Sequence, residues 1–223
     1  MTEQEHAPSE RTRVRRLPGK ARYDEATIHQ ILDEARLCHV AGIVGGSAMA
    51  LPTLHAREGN TVYLHGSQSN AVMKSVVAAG EAYVTVTLYD GLRLARSAFE
   101  SSIAYRSVAL FGPAREVTDF NEKSRVLEMF VDAILPGRAS EVRPMTEREV
   151  NLTMVVAVEI AEASAKVSAG PTEDFPEDLD LPIWSGTVPA ELRFTTPIES
   201  PNGAMLSGEI PLPPSVVRLL DEQ

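Results

Sequence analysis

The stretch TVYLHGSQSNAVMKSVVAAGEAYVTVTLYDGLRLARSAFESSIAYRSVALFG, residues 61–112, decides the fold. It predicts a strand, a turn of small polar residues, one helix and then three more strands. Ser69 is the expected N-cap of the helix, because a serine hydroxyl accepts hydrogen bonds from the exposed N–H groups of a first turn. Gly80 is expected just past the helix end. Asp90-Gly91 predicts a hairpin turn between two of the strands.

The turn and helix of this stretch are suited to bind an anion. Lys74 lies about one helical turn beyond Ser69. A helix N-terminus carries partial positive charge, and serine hydroxyls with a nearby lysine complement a phosphate. The alternative is an ordinary capped helix whose lysine is solvated. His65 borders the same turn, and the residues alone leave its role in such a site open.

Sequence on both sides of this stretch adds further strands and helices. Strands are expected at residues 38–44 and 48–56 before the stretch and at residues 152–160 after it, in addition to residues 83–89 and 104–112 within it. Helices are expected after Asp24, Asp119 and Thr146, where capping residues precede apolar residues at helical spacing. Pro52 cannot donate to a ladder, so it should mark an edge or a bulge. The acidic, proline-broken stretch 170–182 should wrap over the surface, anchored by Ile183, Trp184 and Val188.

Six or seven short strands separated by turns, with two or three inserted helices, predict a mainly β protein. The expected architecture is one antiparallel barrel with flanking helices. A doubly wound sheet is disfavoured, because the strands follow hairpin turns and do not alternate with helices.

The charge of the 223-residue chain argues against one class of function. Its formal net charge is −10 at pH 7, whereas a general nucleic-acid binder normally carries a basic face. Six basic residues cluster near the start without interleaved aromatic residues, which indicates a solvated arm. They are Arg11, Arg13, Arg15, Arg16, Lys20 and Arg22. We therefore expect no nucleic-acid partner.

The sequence also predicts neither a membrane-spanning segment nor a metal site. No apolar run approaches the roughly 20 residues that a membrane-spanning helix needs, and the first 20 residues lack the apolar core of a secretory signal. The sequence thus predicts a cytoplasmic protein. A single cysteine, Cys38, allows neither an internal disulfide nor a cysteine-cluster metal site. No closely spaced histidine pair predicts a metal site, and His39 is interpreted as a structural histidine.

Five pieces of the chain together resemble a known family. They are LPTLHAREGNTVYLHGS (51–67), VTVTLYDGLRLARSAF (84–99), YRSVALFG (105–112), SAKVSAGP (164–171) and LPIWSGTVP (181–189). In this order they resemble the pyridoxamine 5′-phosphate oxidase-like split-barrel flavoproteins, in particular the flavin-nucleotide-binding, nitroimidazole-resistance-related branch. The resemblance implies an antiparallel split β-barrel, a homodimer, and one FMN in each of two grooves at the subunit interface.

The polar, aperiodic start of the chain and the extent of the resemblance together divide the chain into three parts. Residues 1–20 are expected to form a disordered arm, residues 21–189 the flavin-binding split barrel, and residues 190–223 a C-terminal extension. By position, Pro52, Thr53 and Leu54 would run along the isoalloxazine ring and offer backbone hydrogen bonds. Leu64 and His65 would lie near the ring and the ribityl chain.

The remaining cofactor contacts follow from the same resemblance. Ser69, the helix start behind it and Lys74 would hold the FMN phosphate, since a helix N-terminus and a cation offset its charge. The expected contacts from the later strands and from the segment that closes the groove are Arg106, Ser107, Lys166 and Trp184. The implied function is an FMN-dependent oxidoreductase acting on a small organic substrate, with His65 as candidate catalytic proton donor or substrate contact.

Two departures from the family pattern support a second hypothesis. Asn70 stands where relatives often have arginine, and residues 100–104 read ESSIA in place of His-His-Ser-Met-Asn. Losing a guanidinium removes a bidentate phosphate partner worth roughly 1.5–3 kcal/mol, or about a tenfold to hundredfold weaker affinity. The same barrel would then be a non-redox or altered-ligand binding protein for haem, a deazaflavin or another small molecule.

Overall fold

The computed structural model describes residue 6, residues 8–200 and residues 210–221. The strands are β1 (Ala21–Arg22), β2 (Leu37–Val44), β3 (Ser47–Glu58), β4 (Thr61–Ser67), β5 (Glu81–Leu94), β6 (Ser102–Glu116), β7 (Thr153–Glu159), β8 (Glu162–Ser168) and β9 (Gly186–Pro189). The helices are α1 (Glu25–Glu34), α2 (Ala71–Ala79), α3 (Phe120–Ile134), α4 (Glu147–Leu152) and α5 (Pro214–Asp221). None of the described helices is long and apolar enough to cross a membrane.

The helix starts follow from their capping residues. The Asp24 side chain accepts a hydrogen bond from the Thr27 amide at 2.8 Å and starts α1, and Asp119 does the same for α3. Thr146 forms a reciprocal capping box with Glu149 at the start of α4. Each cap satisfies N–H groups that a helix N-terminus otherwise leaves unpaired. The predicted starts of these three helices are therefore confirmed.

The sheet closes into an antiparallel barrel. Its strand order is β1-β8-β6-β7-β4-β3-β2-β5-β9, and an additional pairing joins β5 to β6. Two long strands change partner along their length: β3 passes from β2 to β4 at His55, and β6 passes to β7 at Ala114. The predicted antiparallel barrel with flanking helices is confirmed. The strand β7 is buried on both faces and lies between β4 and β6.

Two apolar clusters stabilise this arrangement. The larger fills the barrel and includes fully buried side chains from most strands, such as Val40, Leu64, Val84, Val108 and Leu110. The smaller lies between the outside of the barrel and α3, and it joins Tyr63 and Val155 to Val126 and Phe130. The helix α3 therefore covers the outer face of β4 and β7, which is the face that carries His65.

The predicted hairpin at Asp90-Gly91 is wrong. The strand β5 continues to Leu94 through a bulge, in which the pairing with β6 shifts between Tyr89 and Gly91. Gly91 has φ 139°, and a Cβ there would lie 2.3 Å from the Val188 carbonyl oxygen of β9. A left-handed backbone and a close neighbouring strand both require glycine, so the residue types of a turn serve a bulge here.

The segment after β8 is held by polar contacts and not by its apolar residues. Ile183, Trp184 and Val188, the expected anchors, are 48%, 65% and 45% exposed. Asp174 instead accepts hydrogen bonds from the Arg96 amide at 2.6 Å and from the Ser185 hydroxyl at 2.9 Å. The prediction of a surface wrap is confirmed, but its proposed apolar anchors are wrong.

The described part of the N-terminal arm, where the sequence predicts disorder, contacts the sheet. Arg11 bonds with Glu81 at 2.9 Å and with Glu162, and its guanidinium lies over the Phe111 ring. Thr12 is 3% exposed. Arg11 is therefore an ion-pair partner of the barrel edge, and it does not present a free charge to nucleic acid.

Candidate functional site

An incompletely paired part of β3 lies at the centre of the candidate site. From Ser47 to Leu54 this strand pairs with β2, and its pairing with β4 begins only at His55. Among the described residues no second strand joins that first part of β3. Pro52 lies there, which agrees with the edge that its missing N–H predicts. Backbone groups on this side remain free to bind a ligand.

The end of β4 and the start of α2 adjoin this edge. The Thr53 hydroxyl donates to the His65 carbonyl oxygen at 3.3 Å, which ties β3 to β4 beyond their backbone pairing. Ser67 and Ser69, in the exposed turn that follows, share a hydrogen bond of 2.9 Å between their hydroxyls. We call residues 47–54, 65–67 and 69–74 together the β3–α2 surface. It brings together most of the site residues that the resemblance predicts.

The N-cap of α2 is Asn70 and not Ser69, so that prediction is wrong. The Asn70 side-chain oxygen accepts from the amides of Val72 and Met73, both at 3.1 Å. Asparagine is among the best N-cap residues, because its short side chain reaches the N2 and N3 amides. Two of the helix donors that would bind a phosphate are therefore already satisfied within the chain. The predicted end of the helix at Gly80, with φ 71°, is confirmed.

Two predicted contacts on this surface differ in what they can offer a ligand. Lys74 is exposed on α2, and its side chain bonds with no residue that the structure describes. Leu64 is fully buried in the barrel core, so only its backbone could contact a ligand. Lys74 is thus the available cation of the β3–α2 surface.

His65 is half-buried against α3. Its ring centroid lies 4.3 Å from that of Phe130, and its Nδ1 atom is buried without a hydrogen-bond partner. Burial lowers the pKa of the imidazole, because a charged ring loses its solvation there. The ring is therefore neutral at neutral pH. A neutral imidazole is suited to ligate a metal or donate one hydrogen bond, and it is a weak proton donor.

Two other described histidines, His55 and His39, differ from His65 in their surroundings. His55 is 5% exposed and its Nε2 lies 2.8 Å from the Leu32 carbonyl oxygen, so this ring is a structural element. His39 is exposed on β2, which contradicts its interpretation as a packed structural histidine. In the described part of the chain no group of three His, Cys, Asp or Glu side chains could hold a metal ion.

Arg106 is occupied by carboxylates. Its guanidinium bonds with Asp90 at 2.8 and 3.0 Å and with Glu34 at 2.7 Å, and these acids raise its pKa. A cavity of about 560 Å³ adjoins this network and is lined by Arg36, Tyr89 and residues 190–194 of the C-terminal extension. Arg106 therefore stabilises the fold, and it does not offer the free positive charge that a phosphate contact would need.

The last three predicted contacts lie away from the β3–α2 surface. Ser107 is paired in register with Thr87 on one side and with Lys166 on the other. Trp184 is 65% exposed beside Gly186.

Sequence reasoning missed Arg93, which is 7% exposed and lies close to Ser168. The bulge at Gly91 determines its position, and a pattern that predicts a hairpin there cannot reveal it.

A comparison with known families identifies the chain. Residues 24–167 match the family model described as pyridoxamine 5′-phosphate oxidase, which is well over half of the chain. The chain belongs to the pyridoxamine 5′-phosphate oxidase family. This family binds flavins, so the family that the sequence pieces predict is confirmed. No curated protein matches the chain significantly.

Three solved structures extend this result. The flavocytochrome Anf3 from Azotobacter vinelandii is 37% identical, with a TM-score of 0.88 over 96% of this chain and 98% of that chain. The FAD and haem binding protein from Mycobacterium smegmatis is 32% identical, with a TM-score of 0.83 over 90% and 97% of the two chains. A candidate 5-nitroimidazole antibiotic resistance protein from Bacteroides thetaiotaomicron, 20% identical with a TM-score of 0.56 over 66% and 86%, shares the fold.

Proposed function

We propose that this protein is a flavin-dependent oxidoreductase that binds FAD along the β3–α2 surface. The observation that carries this proposal is the unpaired side of β3 between Ser47 and Leu54, beside the start of α2. Free backbone donors and acceptors of an extended strand suit the polar edge of a flat ring, and the strand itself offers a surface for its face. Membership of a flavin-binding family supports the same conclusion.

We favour FAD over the FMN that the sequence resemblance implies. The two relatives that match nearly the whole chain are described as a flavocytochrome and as a protein that binds FAD and haem. The chain itself supports this choice, because Asn70 already satisfies two amides of α2 and Arg106 is already paired with two acids. FMN ends in a phosphate dianion, which needs more free hydrogen-bond donors and more positive charge at one point than Asn70 and Arg106 leave available. The pyrophosphate of FAD is a diester, and its charge is spread over a longer stretch of the binding surface.

The residues of the β3–α2 surface would hold and orient the cofactor. The flavin, when bound, supplies the electron transfer to a small organic substrate. Thr53 and the neighbouring backbone of β3 would fix the ring, and Lys74 would approach the phosphates. His65 would remain neutral next to the ring, since its burial disfavours the charged form.

Haem is a second proposed ligand, and His65 is the residue that favours it. A histidine that would ligate haem iron must offer a neutral imidazole with a free ring nitrogen. His65 meets these requirements, because its pKa is lowered and it packs on Phe130 without a hydrogen bond at Nδ1. His55 also has a lowered pKa and an Nδ1 without a partner, but it is 5% exposed and its Nε2 lies against the Leu32 carbonyl oxygen, so its ring is less accessible to a ligand. We therefore assign His65 to haem ligation in preference to proton transfer.

We also propose that two copies assemble through the outer face of β2 and β5. Large apolar side chains are exposed there: Leu37, Ile43 and Tyr89 have exposed fractions between 53% and 62%. Large apolar side chains that are exposed together on one face of a sheet are typical of a protein–protein contact surface. Light scattering at micromolar concentration should give the mass of a dimer, and a well-folded monomer would contradict this part of the proposal.

The flavin proposal is tested by titrating riboflavin, FMN and FAD into the flavin-free protein and its Lys74→Ala variant. FAD should bind most tightly, and riboflavin, which has no phosphate, most weakly. Lys74→Ala should weaken FMN and FAD by about 1–3 kcal/mol, the size of one charge-assisted hydrogen bond, and should leave riboflavin nearly unchanged. Arg148→Ala, an exposed charge on α4, is the matched control. If no flavin quenches or stabilises the protein, the proposal fails.

The haem proposal is tested by the haem content of two histidine variants expressed with haem available. His65→Ala should lose the bound haem while retaining the flavin, because the ring is the proposed axial ligand. His29→Gln changes a half-buried histidine of α1 and should retain both. A wild-type protein that binds flavin without haem would favour the FMN-type oxidoreductase, and one that binds neither would favour the non-redox binding module.

A further inference from the structure

Three basic side chains converge near the end of β8 without any acid among them. Ser168, which is 3% exposed, lies between two of them: its hydroxyl oxygen is 3.2 Å from Lys20 Nζ and 3.4 Å from an Arg93 terminal nitrogen. Lys166 lies two residues before Ser168 on β8 and pairs in register with Ala21, next to Lys20. We call Lys20, Arg93, Lys166 and Ser168 the Ser168 cluster.

Arg93 is the most buried cation of this cluster. It is 7% exposed, and one terminal nitrogen donates to the Pro171 carbonyl oxygen at 2.5 Å. Its Nε atom is buried without a hydrogen-bond partner. A buried guanidinium that lacks a partner for one donor is costly in a folded protein, so it indicates a group that a ligand satisfies.

The charges of the cluster have no ion-pair partner among the described residues. None of its three cations forms an ion pair with any acid that the structure describes. Burial and the neighbouring Arg93 and Lys166 charges lower the pKa of Lys20. Two carboxylates, Glu173 and Glu100, lie near enough to oppose this effect, but neither reaches ion-pair distance. Like charges therefore repel one another in this cluster, and a bound anion would relieve that repulsion.

A purely structural role explains only part of this arrangement. Arg93 could hold the turn at Pro171 by its hydrogen bond to that carbonyl oxygen, but this role needs neither Lys20 nor Lys166. It also leaves the Arg93 Nε atom unpaired. We propose that the Ser168 cluster is an oxyanion site that binds a phosphate group. This inference concerns residues outside the β3–α2 surface and does not depend on the flavin.

The chemistry of the cluster favours phosphate over other anions. A guanidinium offers several donors in a fixed fork and matches phosphate oxygens, while two ammonium groups add charge without fixed geometry. The Ser168 hydroxyl donates to the Ile103 carbonyl oxygen at 3.4 Å, and it can donate to an anion when that long hydrogen bond is exchanged. The phosphate has two possible sources, namely the free ion or the phosphate group of a nucleotide-like ligand.

The test is the thermal stability of the full-length protein with three probes at matched ionic strength: inorganic phosphate, pyrophosphate and ADP, each compared with chloride. Each bound probe should raise the melting temperature, because a ligand of the folded state stabilises it by mass action. Tighter binding of ADP than of pyrophosphate would assign the site to a nucleotide-like ligand, and equal binding would assign it to the free ion. The absence of any effect at millimolar concentrations would overturn the proposal.

Two variants separate a binding role from a structural one. Lys20→Met should raise the melting temperature in chloride, because it removes a repelling charge, and should weaken probe binding about tenfold, as expected for one charge-assisted hydrogen bond. Arg93→Gln should weaken probe binding at least as much. Arg148→Gln, an exposed charge on α4, is the matched control and should change neither quantity. If both cluster variants lower the melting temperature and leave probe binding unchanged, the cluster is structural and the proposal is wrong.

Discussion

Arg106 and Arg93 lie on the neighbouring strands β6 and β5 and have opposite electrostatic surroundings. Arg106 is held by the carboxylates of Asp90 and Glu34, which raise its pKa. Among the described residues, Arg93 bonds with the neutral oxygens of Ser168 and Pro171, and it has lysines as neighbours. A positive residue in a barrel strand is therefore not by itself a ligand contact. The charge that is open to an anion lies where no acid of the described residues comes within ion-pair distance.

The bulge at Gly91 produces this difference. Before it, even-numbered side chains of β5 such as Val84 and Val86 are buried in the core. After it the alternation is reversed, so that Leu92 is 40% exposed and Arg93 only 7%. An extra residue in one strand shifts every following side chain to the opposite face. The bulge thereby directs Arg93 into the protein and leaves Asp90 to pair with Arg106.

The largest expected effect comes from removing the geometry of the bulge. Gly91→Ala should destabilise the protein by about 3 kcal/mol or more, because φ 139° is strained for alanine and its Cβ would lie 2.3 Å from the Val188 carbonyl oxygen. Gly46→Ala is the control: Gly46 also has positive φ, but its Cβ would meet nothing within 4 Å, so about 1 kcal/mol is expected. Urea unfolding measures the free energy of unfolding of both variants. Equal losses of stability would show that the bulge tolerates a side chain at position 91.

The second prediction compares the two arginines directly. Arg106→Met should cost about 1–2 kcal/mol, because it leaves Asp90 and Glu34 facing each other without a cation, at a site that solvent partly screens. Arg93→Met should cost less than half as much, since the lost hydrogen bonds are offset by relieved repulsion. Free energies of unfolding in phosphate-free buffer test this. A larger loss for Arg93→Met would mean that Arg93 is chiefly structural.

The third prediction concerns the donors that Asn70 occupies. Asn70→Ala should lower stability by about 1 kcal/mol, the usual cost of losing an N-cap. It should also raise the affinity for FMN relative to riboflavin, because two amides of α2 become free for the phosphate. Asp119→Ala removes the cap of α3 at a similar cost and should leave this affinity ratio unchanged. An unchanged ratio in Asn70→Ala would place the phosphate elsewhere.

The smallest expected effect is a dependence of stability on alkaline pH. Folding lowers the pKa of Lys20 below its ordinary value of 10.5, so the folded state binds fewer protons there than the unfolded state. This contribution therefore becomes more favourable as pH rises through the folded pKa towards 10.5. Lys20→Met should lack it, so the variant and the wild type should converge in stability at high pH. A constant difference between them would argue against a lowered pKa.

Local sequence signals predicted much of the fold because each has a local physical cause. The caps at Asp24, Asp119 and Thr146 depend on residues within one helical turn, and the continuous apolar run of β7 matches its burial on both faces. The hairpin prediction at Asp90-Gly91 was wrong because the same two residue types occur in both hairpin turns and bulges. The choice between them depends on a contact with Val188, which is distant in sequence.

The candidate site was harder to predict than the fold. The family resemblance correctly pointed to a flavin-binding family, and it grouped residues around β3 and α2 that do lie close together. It could not show that Arg106 is paired with Glu34, because this contact joins residues far apart in the chain. The Ser168 cluster was missed for the same reason, since Lys20, Arg93 and Lys166 meet only after the barrel closes.

The most direct test of the central claim is to identify the small molecules released from the purified, full-length protein. The visible spectrum and the mass spectrum of the released material should show FAD and haem, the flavin in amounts equimolar with the chain, and His65→Ala should retain only the flavin. Release of FMN in place of FAD would contradict the cofactor assignment. A colourless protein that neither releases a flavin nor binds added FAD would contradict the proposal that it is a flavin-dependent oxidoreductase.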